Sequence, residues 1–229
     1  MERYCIAEHG CELIAGLIDE TERQQLLDAV GVVDAAGRRN MLAVPAIEAL
    51  ARSEKLLNLV RLHTGESPRP VRAIWFNKSA EANWLVAWHQ DLAIAVRERI
   101  DVSGFGAWSV KEGVPHVQPP AEVLQRMLTV RIHLDDADGE NGALRVVAGT
   151  HLLGRLSAEQ VVTLREERGE TLCAAGAGDA LLMRPLLLHA SGRSTSDRPR
   201  RVLHLEYAGG DLPGGLEWRE SSYSAKFGV

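Results

Sequence analysis

The sequence predicts a mainly β domain with flanking helices, built on a jelly-roll or double-stranded β-helix of the cupin-like kind. Three observations carry this. Short β-prone runs separated by Gly, Pro, Asn and Asp follow one another after Pro70, helical patterns gather before it, and the regular strand–helix alternation of a parallel α/β sheet is absent. The 229 residues are expected to form a single domain, 1–229. Within it, 1–66 gives helical support, 70–210 forms the β-helix core, and 103–120 forms a lid or substrate loop.

The helical part opens with a capping signature. Asp19 stands as N-cap with Glu22 three residues later, Leu26, Leu27 and Val30 form an apolar stripe, and Gly31 supplies a stop. A second helix is expected from Pro45, burying Ile47, Leu50, Leu56, Leu57 and Val60 and ending near Gly65. Strand-like runs then occupy Val71–Asn77, Trp84–Asp91, Thr129–Leu134, Leu144–Val147, Ala180–Met183, Leu186–His189 and Arg201–Tyr207. Helical pieces interrupt them at Ala121–Met127 and Ser157–Arg168. Ser103–Pro120 shows no periodicity and is rich in Gly, Pro and aromatic residues, as lids and binding loops often are.

Composition narrows the partners. A formal net charge of -5 argues against a general nucleic-acid binder, which needs a basic face. No stretch approaches the roughly 20 apolar residues that span a bilayer. The N-terminus lacks a basic segment followed by an apolar run, so no signal peptide is expected. Cys5, Cys11 and Cys173 are odd in number and have no metal-binding spacing, which fits free thiols in a reducing cytoplasm. No GxGxxG or phosphate-loop pattern occurs. A cytoplasmic monomer or homodimer acting on a small molecule is expected, without nucleic acid or membrane.

The chemistry concentrates in two places. In Trp88-His89-Gln90-Asp91, His89 and Asp91 are two apart, and on a strand residues i and i+2 share a face. A second histidine, His189, ends the apolar run Leu186-Leu187-Leu188. Two His and one carboxylate make a facial triad that leaves positions on Fe(II) open for a chelating keto acid and for O2. H-x-D with a distant His is weak by itself, since a single His is more often a hydrogen-bonded structural residue. The stretch after His189 adds weight. A turn of small and polar residues leads to a strand opened by Arg200, and Ser191 shares the face of His189. If that strand runs antiparallel to the one carrying His189, Arg200 lies deeper in the same barrel, where its fork suits a carboxylate. The plain alternative for Arg198, Arg200 and Arg201 is a solvated basic turn.

Face patterns bear on that choice. Arg200, Val202, His204 and Glu206 alternate with Arg201, Leu203, Leu205 and Tyr207, and Thr129, Arg131 and His133 alternate with Val130, Ile132 and Leu134. Either two polar faces line a pocket beneath a helix-covered sheet, or both are exposed to solvent.

Three blocks resemble the phytanoyl-CoA dioxygenase (PhyH) family of Fe(II)/2-oxoglutarate oxygenases. They are Trp88-His-Gln-Asp91, Asn141-Gly-Ala-Leu-Arg-Val-Val-Ala-Gly-Thr-His151-Leu-Leu-Gly154, and His189-x-Ser191 with Arg200 eleven residues past the histidine. The resemblance covers about Leu50 to Ala208. It implies His89, Asp91 and His189 as catalytic iron ligands, and Arg200 with Ser191 as the clamp on 2-oxoglutarate. Asn77 or Lys78 is implied as a further co-substrate contact, and His151 as structural. Ala148 and Thr150 depart from the family's usual Pro and Ser. Relatives that halogenate lack the carboxylate, so Asp91 implies a hydroxylase, releasing succinate and CO2. Candidate substrate contacts are Trp108, His116, Gln118 and Arg131, whereas Trp75 and Trp84 are expected in the core. A cupin-like metalloenzyme that does not use 2-oxoglutarate, or a non-catalytic metal- or ligand-binding protein on the same fold, stays as an alternative.

Overall fold

Helices gather mostly before residue 65, and strands mostly after it build three antiparallel sheets, two of which meet where Lys78 reaches Ser191. The computed structural model describes residues 4–33, 35–65, 67–79 and 82–220. Residues 1–3 and 221–229 of the expected domain lie outside them. The helices are α1 (Ile6–His9), α2 (Glu20–Val30), α3 (Pro45–Ala51), α4 (Glu54–Thr64), α5 (Ala121–Gln125) and α6 (Ala158–Arg168). The strands are β1 (Cys11–Ile14), β2 (Gly37–Arg38), β3 (Arg69–Lys78), β4 (Val86–His89), β5 (Ile94–Ala95), β6 (Gly106–Lys111) and β7 (Val114–Gln118). They continue with β8 (Met127–His133), β9 (Leu144–Val147), β10 (Thr171–Cys173), β11 (Ala180–Met183), β12 (Leu188–Ser191) and β13 (Arg200–Ala208).

A six-stranded sheet runs β1-β11-β8-β13-β3-β2 and a four-stranded sheet runs β10-β9-β12-β4, each with antiparallel pairs. This is the expected jelly-roll. The outer face of the large sheet carries Ala73, Trp75, Val130, Ile132, Leu182, Leu203, Leu205 and Tyr207. These pack with Leu26, Ile47, Leu56 and Val60 of the helices in one apolar cluster. Burial of such side chains contributes roughly 1.5–3 kcal/mol each. The other face of the same strands holds Arg131, His133, Arg200, His204 and Glu206, all buried. The polar alternation therefore lines an interior, and the solvent-exposed alternative fails.

The helix start was legible down to its atoms. The Asp19 side chain accepts from Glu22 N at 2.8 Å, and the Glu22 side chain accepts from Asp19 N at 3.0 Å. Three expectations need correction. The helix expected from Pro45 to Gly65 is two helices, because Arg52 leaves helical geometry and Ser53 caps a new one through Leu56 N. The segment before residue 66 is not only helical, since β1 pairs along β11 and β2 pairs with β3. Ser103–Pro120 is not irregular. β6 and β7 form a hairpin, with β5 on the other side of β7. Its two turn residues, Glu112 (φ 51) and Gly113 (φ 77), both adopt the left-handed conformation of a tight hairpin turn.

Candidate active site

The four-stranded sheet sets the first half of the site. β12 and β4 are neighbours, with His189 directly opposite His89. The rings lie 4.2 Å apart between centroids. Asp91 follows β4, and its N–H donates to the Pro185 carbonyl at 2.8 Å. Its carboxylate sits 3.6 Å from His89 Nε2 and 3.7 Å from His189 Nε2. Donor atoms of all three residues fall within 4.8 Å of one another.

Both rings are held in the useful tautomer. His89 Nδ1 lies 2.8 Å from the Ala87 carbonyl and His189 Nδ1 lies 2.9 Å from the Leu187 carbonyl. A carbonyl can only accept, so each Nδ1 carries the proton and each Nε2 keeps its lone pair. Burial pulls His189 down to about 4, against the opposing Asp91 charge. For Asp91 burial acts upward, but His189 and His89 outweigh it and hold the carboxyl well below its ordinary range. Two imidazole lone pairs and one carboxylate are a fitting donor set for a divalent metal. His189 is buried, whereas the His89 and Asp91 side chains remain 40% and 33% exposed, so the trio is accessible from one side.

The middle residue of the motif fixes this arrangement. The Gln90 amide donates to the Leu186 and Gly154 carbonyls at 2.6 and 2.8 Å, and its oxygen accepts from Leu156 N at 2.9 Å. Thr150 Oγ1 donates to the Val147 carbonyl and accepts from Leu188 N, which steadies the strand just before His189. Thr150 is thus structural, and His151 packs against Gly10, away from the trio.

The second half of the site comes from the facing sheet. β13 pairs with β3 and β8, not with β12, so Arg200 enters the site from the facing sheet rather than from a strand beside His189. Arg200 stands opposite Lys78 in the β13–β3 register. Lys78 Nζ, fully buried, donates to Ser191 Oγ at 3.0 Å and to the Gly192 carbonyl, and lies 5.1 Å from the centre of the Trp84 ring. Trp84 is therefore half-buried beside this ammonium, whereas Trp75 is in the core as expected. The backbone of Gly142 approaches the same point. A Cβ there would fall 2.6 Å from the Gly192 carbonyl oxygen and 3.1 Å from Lys78 Nζ, at a φ of +74. Asn141 holds the turn through Asp138 N and the Asp136 carbonyl. Nε and Nη1 of Arg200 are buried without a partner. Burial, then the Arg131 charge, lowers Arg200 to about 9.

Arg131, His133 and His204 occupy the stretch between. Arg131 Nη1 donates to His204 Nδ1 at 2.9 Å, and His204 Nε2 lies 3.3 Å from Glu206 Oε1. Glu206 Oε1 also meets Arg72 Nη1 at 3.1 Å. Both ring nitrogens of His133 are buried without partners. The period-2 alternation signalled these residues, but not their contacts.

The remaining candidates are not gathered here. Asn77 lies on the opposite face of β3, and its amide donates to the Val33 carbonyl at 2.6 Å. Gln118 meets Arg155 at 3.5 Å. Trp108 packs on the apolar cluster around β5 and β7, with Arg99 over its ring. His116 is buried in β7 with Nδ1 on the Val114 carbonyl. Among the described residues, Cys5, Glu8 and His9 also bring ligand-type atoms together. That cluster belongs to one short helix, and His9 Nδ1 already accepts from Cys5 N.

No curated protein sequence matches the chain. Solved structures share its fold. EvdMO1 is 20% identical with a TM-score of 0.67, over 91% of this chain and 49% of its own length, so this chain spans about half of it. EctD from S. alaskensis, solved with 2-oxoglutarate and 5-hydroxyectoine, is 18% identical with a TM-score of 0.67, over 89% of this chain and 73% of its own. The non-heme alpha ketoglutarate dependent carbocyclase SnoK from nogalamycin biosynthesis is 16% identical with a TM-score of 0.69, over 97% and 88%. The phytanoyl-CoA dioxygenase (PhyH) family profile matches residues 6–202, and the chain belongs to this family of Fe(II)- and 2-oxoglutarate-dependent oxygenases.

Proposed function

We propose that this protein hydroxylates a C–H bond of a small molecule, consuming O2 and 2-oxoglutarate and releasing succinate and CO2. His89, Asp91 and His189 hold Fe(II). Arg200 grips the far carboxylate of 2-oxoglutarate, with Lys78 and Ser191 beside it. The observation that carries this reading is the pairing of a lone-pair trio on one sheet with the buried, unpartnered Nε and Nη1 of Arg200 on the other. A buried guanidinium without an acceptor is costly, and a carboxylate supplies two acceptors in matching geometry.

Iron with bound keto acid supplies the oxidising power when O2 binds. The chain's own residues do the rest. The Ala87 and Leu187 carbonyls keep Nδ1 protonated on both histidines, so neither ring can turn its lone pair away. Lys78 orients the Ser191 hydroxyl by donating to its oxygen, which leaves the hydroxyl proton free for a carboxylate. Asp91 supplies a third ligand and balances charge. Its presence favours hydroxylation, because it occupies the position a halide would need. Trp108, His116 and Gln118 are proposed only as outer contacts for substrate, since none lies in the trio or the clamp.

The test is anaerobic titration of the protein with Fe(II) and 2-oxoglutarate, followed by the weak visible charge-transfer band of the chelate. The band should form in wild type, vanish in His189→Ala, and need about 30-fold more 2-oxoglutarate or beyond in Arg200→Gln, as for loss of a buried charge partner. A small-metabolite screen read by succinate release and by gain of one oxygen atom tests hydroxylation. Formation of succinate with a product that gains no oxygen would point to another oxidation.

A further inference from the structure

One buried cation on the inner face is left over by the oxygenase reading. Arg131 lies opposite His204 in the β8–β13 register, four residues along β13 from Arg200. That is about 13 Å at roughly 3.3 Å per residue, so the two guanidiniums are rooted at different levels of the cavity. Arg131 is 6% exposed and shares the inner face of the large sheet with Lys78 and Arg200, the face from which Lys78 reaches Ser191 on the strand that carries His189.

Its head group is fixed in place. Nη1 is committed to His204 Nδ1 at 2.9 Å, and the guanidinium carbon sits 5.4 Å from the Phe76 ring centre. Phe76 and His204 meet edge to face, 5.6 Å between centroids. His204 is in turn held by Glu206, and Glu206 by Arg72. Against this fixed background Arg131 Nε is fully buried and has no acceptor. A rigid, desolvated guanidinium with an open N–H edge is shaped for a planar oxyanion.

Charge points the same way. The inner face presents Lys78, Arg131 and Arg200 as cations, while the Glu206 carboxylate is answered by Arg72. Fe(II), the Asp91 carboxylate and the 2-oxoglutarate dianion together leave one negative charge to set against three positive ones. The co-substrate therefore does not neutralise the cavity.

We infer that the primary substrate carries a carboxylate and that Arg131 receives it, leaving the rest of the substrate beside the metal trio. This rests on the oxygenase reading and adds the substrate class to it.

The experiment uses the anaerobic Fe(II)–2-oxoglutarate complex, in which Arg200 is already occupied. Benzoate, phenylacetate, N-acetylglycine and acetate are each titrated against their primary amides. Binding is read calorimetrically and by perturbation of the charge-transfer band. In wild type at least one acid should bind about tenfold or more tighter than its amide. Arg131→Gln should weaken that acid by about 30-fold or more while leaving the amide unchanged. Its affinity for 2-oxoglutarate should stay within about twofold of wild type, which also certifies the fold. Should Arg131→Gln not fold, Arg131→Lys, which keeps the charge without the fork, should still weaken the acid relative to the amide. The inference is overturned if no acid is preferred in wild type, if the preference survives both substitutions, or if Arg131→Gln weakens 2-oxoglutarate as strongly as Arg200→Gln. Failure of wild type to bind 2-oxoglutarate is a separate result, which removes the oxygenase reading and this inference with it.

Discussion

Lys78 shows how much one side chain's surroundings decide at this site. Burial, with the nearby Arg200 and Arg131 charges, brings its ammonium down to about 8. Only the protonated form attracts a carboxylate, so deprotonation above that pH removes one contact from 2-oxoglutarate. The dissociation constant for 2-oxoglutarate should then rise with pH above about 8, approaching tenfold per unit where Lys78 is the controlling group. Lys78→Met should bind more weakly at pH 7 and show no such slope. An unchanged slope in that variant would assign it to another group. The adjacent residue makes the opposite prediction. Asn77→Ala should leave 2-oxoglutarate affinity within about twofold and cost about 1 kcal/mol of stability, because the Val33 carbonyl loses its donor. Urea unfolding and the same titration check both halves, and a tenfold affinity loss would return Asn77 to the site.

Elements bring these residues together, and here the sequence was legible only in part. Alternation along β8 and β13 exposed the inner polar face, because side-chain direction in a strand is local information. The Asp19–Glu22 capping box and the two-residue spacing of His89 and Asp91 are local in the same sense. Which strand Arg200's strand would pair with was not legible, since β13 joins β3 and β8 through contacts distant in sequence. Nor could Asn77 be separated from Lys78, because a one-residue slip exchanges the two faces of a strand. The β6–β7 turn was missed because Glu112, not Asn or Gly, occupies its first left-handed position. Asn141-Gly142 stood in the sequence only as the start of a block resembling the family, and the structure shows the turn it makes and the reason for the glycine. Gly142→Ala would strain a positive φ and press a methyl onto the Gly192 carbonyl and Lys78 Nζ. A stability loss of about 1–3 kcal/mol is expected, with weakened 2-oxoglutarate binding, because that carbonyl and that ammonium are part of the clamp. Substitution at Gly154, also at a positive φ (+71) but with nothing within 4 Å of a Cβ, carries the backbone strain without the contact, so it should cost stability while leaving the clamp undisturbed and serves as the comparison.

At the scale of the whole molecule, the jelly-roll encloses ionisable groups that the unfolded chain would expose, and this couples stability to pH. His133 is the clearest case outside the metal trio. Burial, reinforced by the Arg131 and Arg200 charges, lowers it from 6.5 to about 3. Between these values the unfolded chain binds a proton there and the folded chain does not. Stability must therefore rise with pH across that window, and fall as the pH drops from about 6.5 towards 3. The slope from one such group approaches about 1.4 kcal/mol per pH unit in the middle of the window. Lys78 obeys the same rule in a higher window, between about 8 and 10.5, so it does not contribute to the acid limb. The metal-free protein should thus lose stability steadily from pH 6.5 to pH 5 in urea unfolding. His133→Gln cannot titrate there and should flatten that decline by one histidine's share. An acid limb equally steep in wild type and His133→Gln would show that other buried groups set the pH dependence. The outcome also bears on function. The Arg131 and Arg200 charges add to burial in holding His133 neutral, so anions bound to those guanidiniums should relieve that part of the shift and soften the acid loss in the same assay.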